Sequence, residues 1–481
     1  MGDLEDRMPA GEERRKPETG TLFLAGSVFE NQRRQKRRDM ILSGTALGEG
    51  IVRKRLFHGD GAGAFGVFRP CQSMGACTRA EFLRDPETET AVFVRFSGGM
   101  GLCGGTGRVR DVRGFSVKFY TGQGNYDVTG LNLPVFFVRD PLKVQKLIQG
   151  GKTGAGFGLQ GPEGIWDFYS RSPETMNLLL RLYSDDGAVR DYGEMDGHGV
   201  NTFVWVGEEG KRKYVKYHFL SRRRQEKEEK SPSETGNFQA SEADPGEAAR
   251  RLYRRLESGD FPAYEFCIQM MDPERAEILE FDPLDPTKIW PEDRFPMIRA
   301  GTLTLNRNPE DFFSQVEQAA FQPDSLVPGI ELSRDMTLQG RRFACEDAQR
   351  RRIGDHFRQL PVNASAALVT ENGAAGSEMG RNTAERAEPE YGIRPPLYCP
   401  NNLAEAPFPR ETPGRKDDFS QAAVFYKTLS GEERGRLACA VASELSFCGG
   451  LIRERQLQLF GKTDPDLEMR VRSLLQSSIK M

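Results

Sequence analysis

Arg55-Leu56-Phe57-His58-Gly59-Asp60-Gly61-Ala62-Gly63-Ala64-Phe65-Gly66 sets a histidine between an arginine and a glycine-rich run. Gly61 to Gly66 satisfies the G-x-G-x-x-G spacing of dinucleotide-binding loops, and so does Gly99-Met100-Gly101-Leu102-Cys103-Gly104. Such a loop needs a strand feeding the glycines and a helix leaving them, because the helix N-terminus holds the phosphate. Pro70 follows the first run where that helix would be under way, and the second opens into the strand-like stretch Gly114-Phe115-Ser116-Val117-Lys118-Phe119-Tyr120. With 52 glycines in the chain, literal matches arise by chance, which argues against a Rossmann site.

Moving outward, alternating or continuous apolar runs predict strands at Val92–Ser97, Phe115–Tyr120, Thr202–Val206, Lys213–Phe219, Tyr264–Met270 and Thr302–Asn306. Their spacing suggests an antiparallel sheet or barrel. Residues 222–250 read as a polar surface loop, and 361–417, rich in Pro, Gly and Asn, show no sustained periodicity. From about residue 418 the pattern is helical, with Ser430-Gly431-Glu432-Glu433 as a capping box.

The 481 residues are ample for a large core, and 67 Lys and Arg against 70 Asp and Glu leave a net charge of −3. That balance offers no field for holding nucleic acid, although Arg33-Arg34-Gln35-Lys36-Arg37-Arg38 is a local basic run, read as a solvated arm. No stretch approaches the roughly 18 apolar residues of a membrane span. The charged N-terminus lacks a secretory core and the last residues are not S-K-L, so an intracellular location, cytoplasmic or peroxisomal, is expected. The eight cysteines contain no CxxC pair and read as free thiols unless one binds a cofactor.

The opening stretch, Val94-Arg95-Phe96-Ser97, the block Val109 to Tyr120 and the block Pro134 to Pro141 resemble, in that order, the haem catalase family. The resemblance continues through Trp166-Asp167-Phe168, Thr287 to Pro291, Leu305 to Pro309, Val327 to Glu331, Leu338 to Arg341 and Leu360 to Asn363. It implies an α+β, catalase-like fold: an eight-stranded antiparallel β-barrel with an N-terminal arm, a long wrapping segment and C-terminal helices. The corresponding divisions are 1–48 for the arm, 49–305 for the haem-binding core, 306–417 for the proximal helix and wrap, and 418–481 for the helical region. It further implies haem iron, a peroxide substrate and a homotetramer with interlocked arms.

Peroxide cleavage needs a base that takes a proton from one oxygen and returns it to the other, which suits an imidazole. By the resemblance His58 is that distal residue, Ser97 orients it, and Phe136 and Phe137 line the pocket. Arg55, Arg95 and Arg352 match the positions that bind haem propionates, as guanidinium forks can.

Two positions depart from the family. Where it carries the Tyr that ligates iron, Arg341-Arg342-Phe343-Ala344-Cys345 places Cys345. Arg341, one helical turn earlier, is expected to favour a thiolate, which would push electron density into the iron. A cysteine sulfur reaches roughly 3 to 4 Å less far than a tyrosine oxygen. Either the helix moves toward the haem or Cys345 is a small buried thiol that ligates nothing. Where the family has an Asn that hydrogen-bonds peroxide, Gly130-Leu131-Asn132-Leu133-Pro134 places Leu131. Asn132 points to the opposite face of an extended segment and cannot substitute. The family's NADPH positions are Asn177, Asp186, Leu220 and Glu292, leaving no cation for a phosphate, so bound NADPH is not expected.

The resulting expectation is a haem-dependent, peroxide-processing oxidoreductase with weakened hydrogen peroxide decomposition. Two alternatives stay open: a thiolate-haem isomerase or peroxygenase acting on organic or fatty-acid hydroperoxides, and a non-catalytic haem-binding relative.

Overall fold

Ten strands run through the residues that the computed structural model describes, namely 55, 58–98, 110–152, 162–230, 246–365 and 417–478. They are β1 Gly61–Pro70, β2 Thr90–Ser97, β3 Gly114–Thr121, β4 Gly124–Leu131, β5 Gly197–His198, β6 Phe203–Val206, β7 Arg212–Ser221, β8 Ala263–Met271, β9 Ile298–Arg307 and β10 Ile330–Leu332. All pairings are antiparallel. Strands β1, β2, β3, β4, β5, β7, β8 and β9 close a ring through the β7–β8 and β8–β9 pairs, while β6 and β10 extend from β7. The expected eight-stranded barrel is the observed one.

The first glycine run is strand β1. A Cβ at Gly61 would lie 2.2 Å from Phe96 O, and one at Gly66 2.1 Å from Thr304 O, so neighbouring backbone fills the space a side chain would need. The second glycine match, the basic run 33–38 and the wrap from 366 to 416 lie outside the described residues.

Inside, period-two alternation stacks aromatic rings: Phe68 meets Phe119 at 5.3 Å, Phe115 meets Phe219 at 5.3 Å, and Tyr217 meets Phe266 at 5.7 Å. The interior is therefore a filled core, and any ligand must sit on the outer wall. Helices α1 Pro141–Lys152, α2 Pro162–Ser170 and α3 Met176–Tyr183 join the C-terminal region in a second apolar cluster that also takes in Leu131, α4 Arg222–Lys230 lies against β7 and β8, α5 Glu247–Glu257 lies against β9, and α6 Met336–Ile353 follows β10. The tail forms α7 Ser420–Thr428, α8 Gly431–Leu445, α9 Gly450–Thr463 and α10 Pro465–Ser478. The capping box forms as expected, with Ser430 and Glu433 exchanging side-chain and backbone hydrogen bonds at the start of α8. Part of the expected loop 222–250 is instead helical. Arg222–Lys230 is polar all round and carries no apolar stripe; Arg223 is held by Asp260 and Arg224 by Asp186. Among the described residues no helix is long and apolar enough to cross a membrane.

One rung of the outer face runs across six strands by register: Ser97, Gly114, Leu131, His198, His218 and Cys267. In its middle the Nδ1 atoms of His198 and His218 lie 2.9 Å apart, so one ring must donate and the other accept. Burial pushes His218 down to about 3 and His198 well below the usual imidazole range. An unfolded histidine titrates near 6.5, so below that pH the unfolded chain takes up protons that the folded pair refuses. Stability is complete above about pH 6.5 and falls on acidification, by up to about 1.4 kcal/mol per pH unit for each histidine. Calorimetric unfolding of His198→Phe/His218→Phe should show a flatter decline between pH 6.5 and 4 than the parent; an equally steep decline would mean that the pair does not drive it.

Candidate functional site

The part of this rung formed by Ser97, Gly114 and Leu131 carries the first side of the site. His58 precedes β1 with a φ of 56°, the left-handed region that costs a residue with a Cβ about 1 kcal/mol or more. Arg95, on the outer face of β2, holds that turn: Nη1 donates to His58 O at 3.0 Å and Nη2 to Gly59 O at 2.8 Å. His58 Nδ1 lies 3.2 Å from the carbonyl oxygen of Gly98. An acceptor opposite Nδ1 assigns the ring proton there and leaves Nε2 as the basic nitrogen. Burial, with Arg95, Arg341 and Arg55 nearby, pushes His58 down to about 4, so the ring is neutral at neutral pH.

Ser97 Oγ accepts the Gly114 amide at 3.1 Å. A Cβ on Gly114 would stand 2.2 Å from Ser97 Oγ and 3.2 Å from His58 Nδ1, so the serine and histidine meet over a position where only glycine fits. Leu131, 3 % exposed, presents its side chain on the same face. Asn132 is committed elsewhere, accepting from Arg113 N at 2.8 Å and donating to Asp111 O at 3.4 Å. The expectation that it cannot replace the missing amide donor agrees with this geometry. Phe136 packs edge-on to Phe137, and its ring also meets the Arg341 guanidinium at 5.6 Å; Phe137 is wholly buried.

The opposite side is α6, capped by Asp335, whose side chain accepts from Thr337 N and Leu338 N. Arg341 reaches from α6 to the barrel, donating to Thr129 Oγ1 at 2.9 Å and Asn201 Oδ1 at 2.5 Å; Asn201 in turn donates to Asp335 at 2.7 Å. Cys345 follows one turn later. Burial raises its thiol pKa by more than Arg341 lowers it, so the net shift opposes the expected thiolate. The spacing identified the cation correctly, but desolvation outweighs it.

Between these sides three guanidiniums converge. Arg55 donates to Glu317 Oε2 at 3.0 Å, Glu317 O at 2.9 Å and Ala319 O at 2.8 Å. Arg352 donates to the same two carbonyls and lies 3.5 Å from Glu317 Oε1. Arg95 is 5 % exposed, and its Nε has no hydrogen-bond partner among the described residues. Burial, with the charge of Arg55 nearby, pushes both Arg95 and Arg352 down to about 9. Three buried cations facing one carboxylate lack two negative charges, which the two carboxylates of a haem would supply. The residues present therefore fit that group. Glu317, in the π-helical turn Phe313–Glu317, was not among the residues read from the sequence.

Two of the four positions matched to an NADPH site, Asn177 and Asp186, are engaged by the chain's own contacts. Asn177 donates to Thr287 O at 3.1 Å and accepts from Arg181, and Asp186 pairs with Arg224.

A family model described as Catalase matches residues 47–403, and one described as Catalase-related immune-responsive matches 412–475. A catalase of Methanosarcina barkeri is 37% identical over 448 residues, covering 89% of this chain and 86% of its own length. A bromoperoxidase-catalase of Streptomyces venezuelae is 36% identical, covering 89% and 90%. A solved structure described as a bacterial catalase superposes with a TM-score of 0.74 at 30% identity, covering 98% of this chain and 94% of that one. By sequence, by barrel and by the order of its matching blocks, the chain belongs to the catalase family.

Proposed function

We propose that the protein is a haem-dependent oxidoreductase that processes peroxides, with hydrogen peroxide decomposition weakened by Leu131. The observation that carries the reading is the cradle of Arg55, Arg95 and Arg352 around Glu317, short of two negative charges and adjoining a neutral His58. When bound there, haem supplies the redox centre at which the O–O bond is cleaved. His58 Nε2 takes a proton from one peroxide oxygen and returns it to the other; a conjugate acid of pKa about 4 gives that proton up readily. Ser97 and the Gly98 carbonyl keep the ring aimed, Phe136 excludes water, and Arg341 fixes α6 and the approach of Cys345, the candidate iron ligand. A peroxide substrate and a homotetramer are part of this reading on the strength of the family.

Reconstitution with haem should give a stoichiometric Soret band; its absence would favour a relative that does not use haem. If Cys345 ligates, the ferrous carbon monoxide complex should absorb at about 450 nm and lose that band in Cys345→Ser. A band at about 420 nm that Cys345→Ser leaves unchanged would make the cysteine a bystander. Leu131 supports a second reading, in which organic hydroperoxides are preferred because the polar hold on a small peroxide has been replaced by apolar surface.

A further inference from the structure

Arg55 and Arg352 enter the cradle from distant parts of the chain and share the carbonyl oxygens of Glu317 and Ala319. Those carbonyls orient the two guanidiniums but cannot neutralise them. Burial and the charge of Arg55 lower the pKa of Arg352, and Glu317 is the carboxylate that opposes this, with Oε2 on Arg55 at 3.0 Å and Oε1 toward Arg352 at 3.5 Å. Buried like charges held this closely stay together only if a counter-charge is also held between them.

We propose that Glu317 is a positioning residue that sets both the aim and the charge of the cradle, making it selective for a porphyrin bearing two ionised carboxylates. Three guanidiniums against one carboxylate leave two positive charges, the number such a porphyrin neutralises. Without Glu317 one arginine swings toward solvent, and the cradle loses its discrimination between a porphyrin diacid and its ester. This rests on reading the cradle as the seat of haem's carboxylates.

The test titrates the haem-free full-length protein with zinc protoporphyrin, followed by its fluorescence, and with the dimethyl ester of the same porphyrin. The parent should prefer the diacid by about tenfold or more, corresponding to about 1.4 kcal/mol. In Glu317→Gln, which keeps the shape but not the charge, diacid binding should weaken about tenfold and the preference should shrink toward one. Glu317→Asp, charged but too short to reach both guanidiniums, should lie between, and it carries the test if Glu317→Gln does not fold. A preference unchanged or enlarged in these variants would overturn the role of Glu317, since the residue would then only oppose the bound charge. A parent without any preference for the diacid would instead overturn the reading of the cradle itself.

Discussion

His58→Ala should lower kcat/KM for hydrogen peroxide by about 10²- to 10⁴-fold, the range expected when a positioned acid–base group is removed. The same loss should appear with an organic hydroperoxide, because both reactions move a proton between peroxide oxygens. Arg95 bonds to the backbone of residues 58 and 59, so the turn persists without the imidazole and a Soret band should survive the substitution. Loss of turnover with haem retained separates a chemical role from a binding one. The parent's own pH profile gives a second check. His58 is the base when neutral, so activity should be present above about pH 5 and be lost as pH falls through about 4. Turnover undiminished by His58→Ala would remove the residue from the mechanism.

Leu131→Asn should raise oxygen evolution from hydrogen peroxide by about 10- to 1,000-fold, the reverse of removing one donor aimed at a reacting oxygen. The position supports this expectation. Leu131 occupies the rung of Ser97 and Gly114 on the outer face, whereas the neighbouring Asn132 is held by Arg113 and Asp111. The substitution should also reduce kcat/KM for a fatty-acid hydroperoxide, since each buried CH₂ of a chain is worth about 0.8 kcal/mol against apolar surface. Comparing both substrates in both proteins measures the exchange directly. Rapid oxygen evolution by the parent, with no advantage for the organic substrate, would restore an ordinary catalase.

Most of the barrel is legible because alternation is local: Phe115, Val117 and Phe119 point inward, while Ser116 and Lys118 point outward, whatever the rest of the chain does. Strand β1 is hidden because its glycines answer to Phe96 and Thr304, backbone contacts made only after closure. Helix α4 is hidden for a related reason, its anchors Asp260 and Asp186 lying on other elements. In the site, His58 and the three arginines stand in recognisable blocks. Glu317 does not announce itself, since its importance depends on Arg55, 262 positions away, and Arg352, 35 positions away, arriving together. Cys345 shows the same limit in its energetics. Its distance from Arg341 can be counted along a helix, but the burial that outweighs that charge cannot.

The filled barrel also sets an order of events during synthesis. Because aromatic rings occupy the interior, the cradle lies outside it and takes Arg55 from before β1, Arg95 from β2 and Arg352 from the last turn of α6. A nascent chain can complete the ring at β9, and the core with Leu326, Val327, Ile330, Leu332 and Leu338, while the cradle still lacks its third arm. Strand pairing therefore proceeds without the ligand, and full capture of a dicarboxylate waits until translation has passed residue 352 and α6 has docked. Chains released from the ribosome that end between residues 338 and 352 should be protease-resistant over the barrel yet release porphyrin quickly.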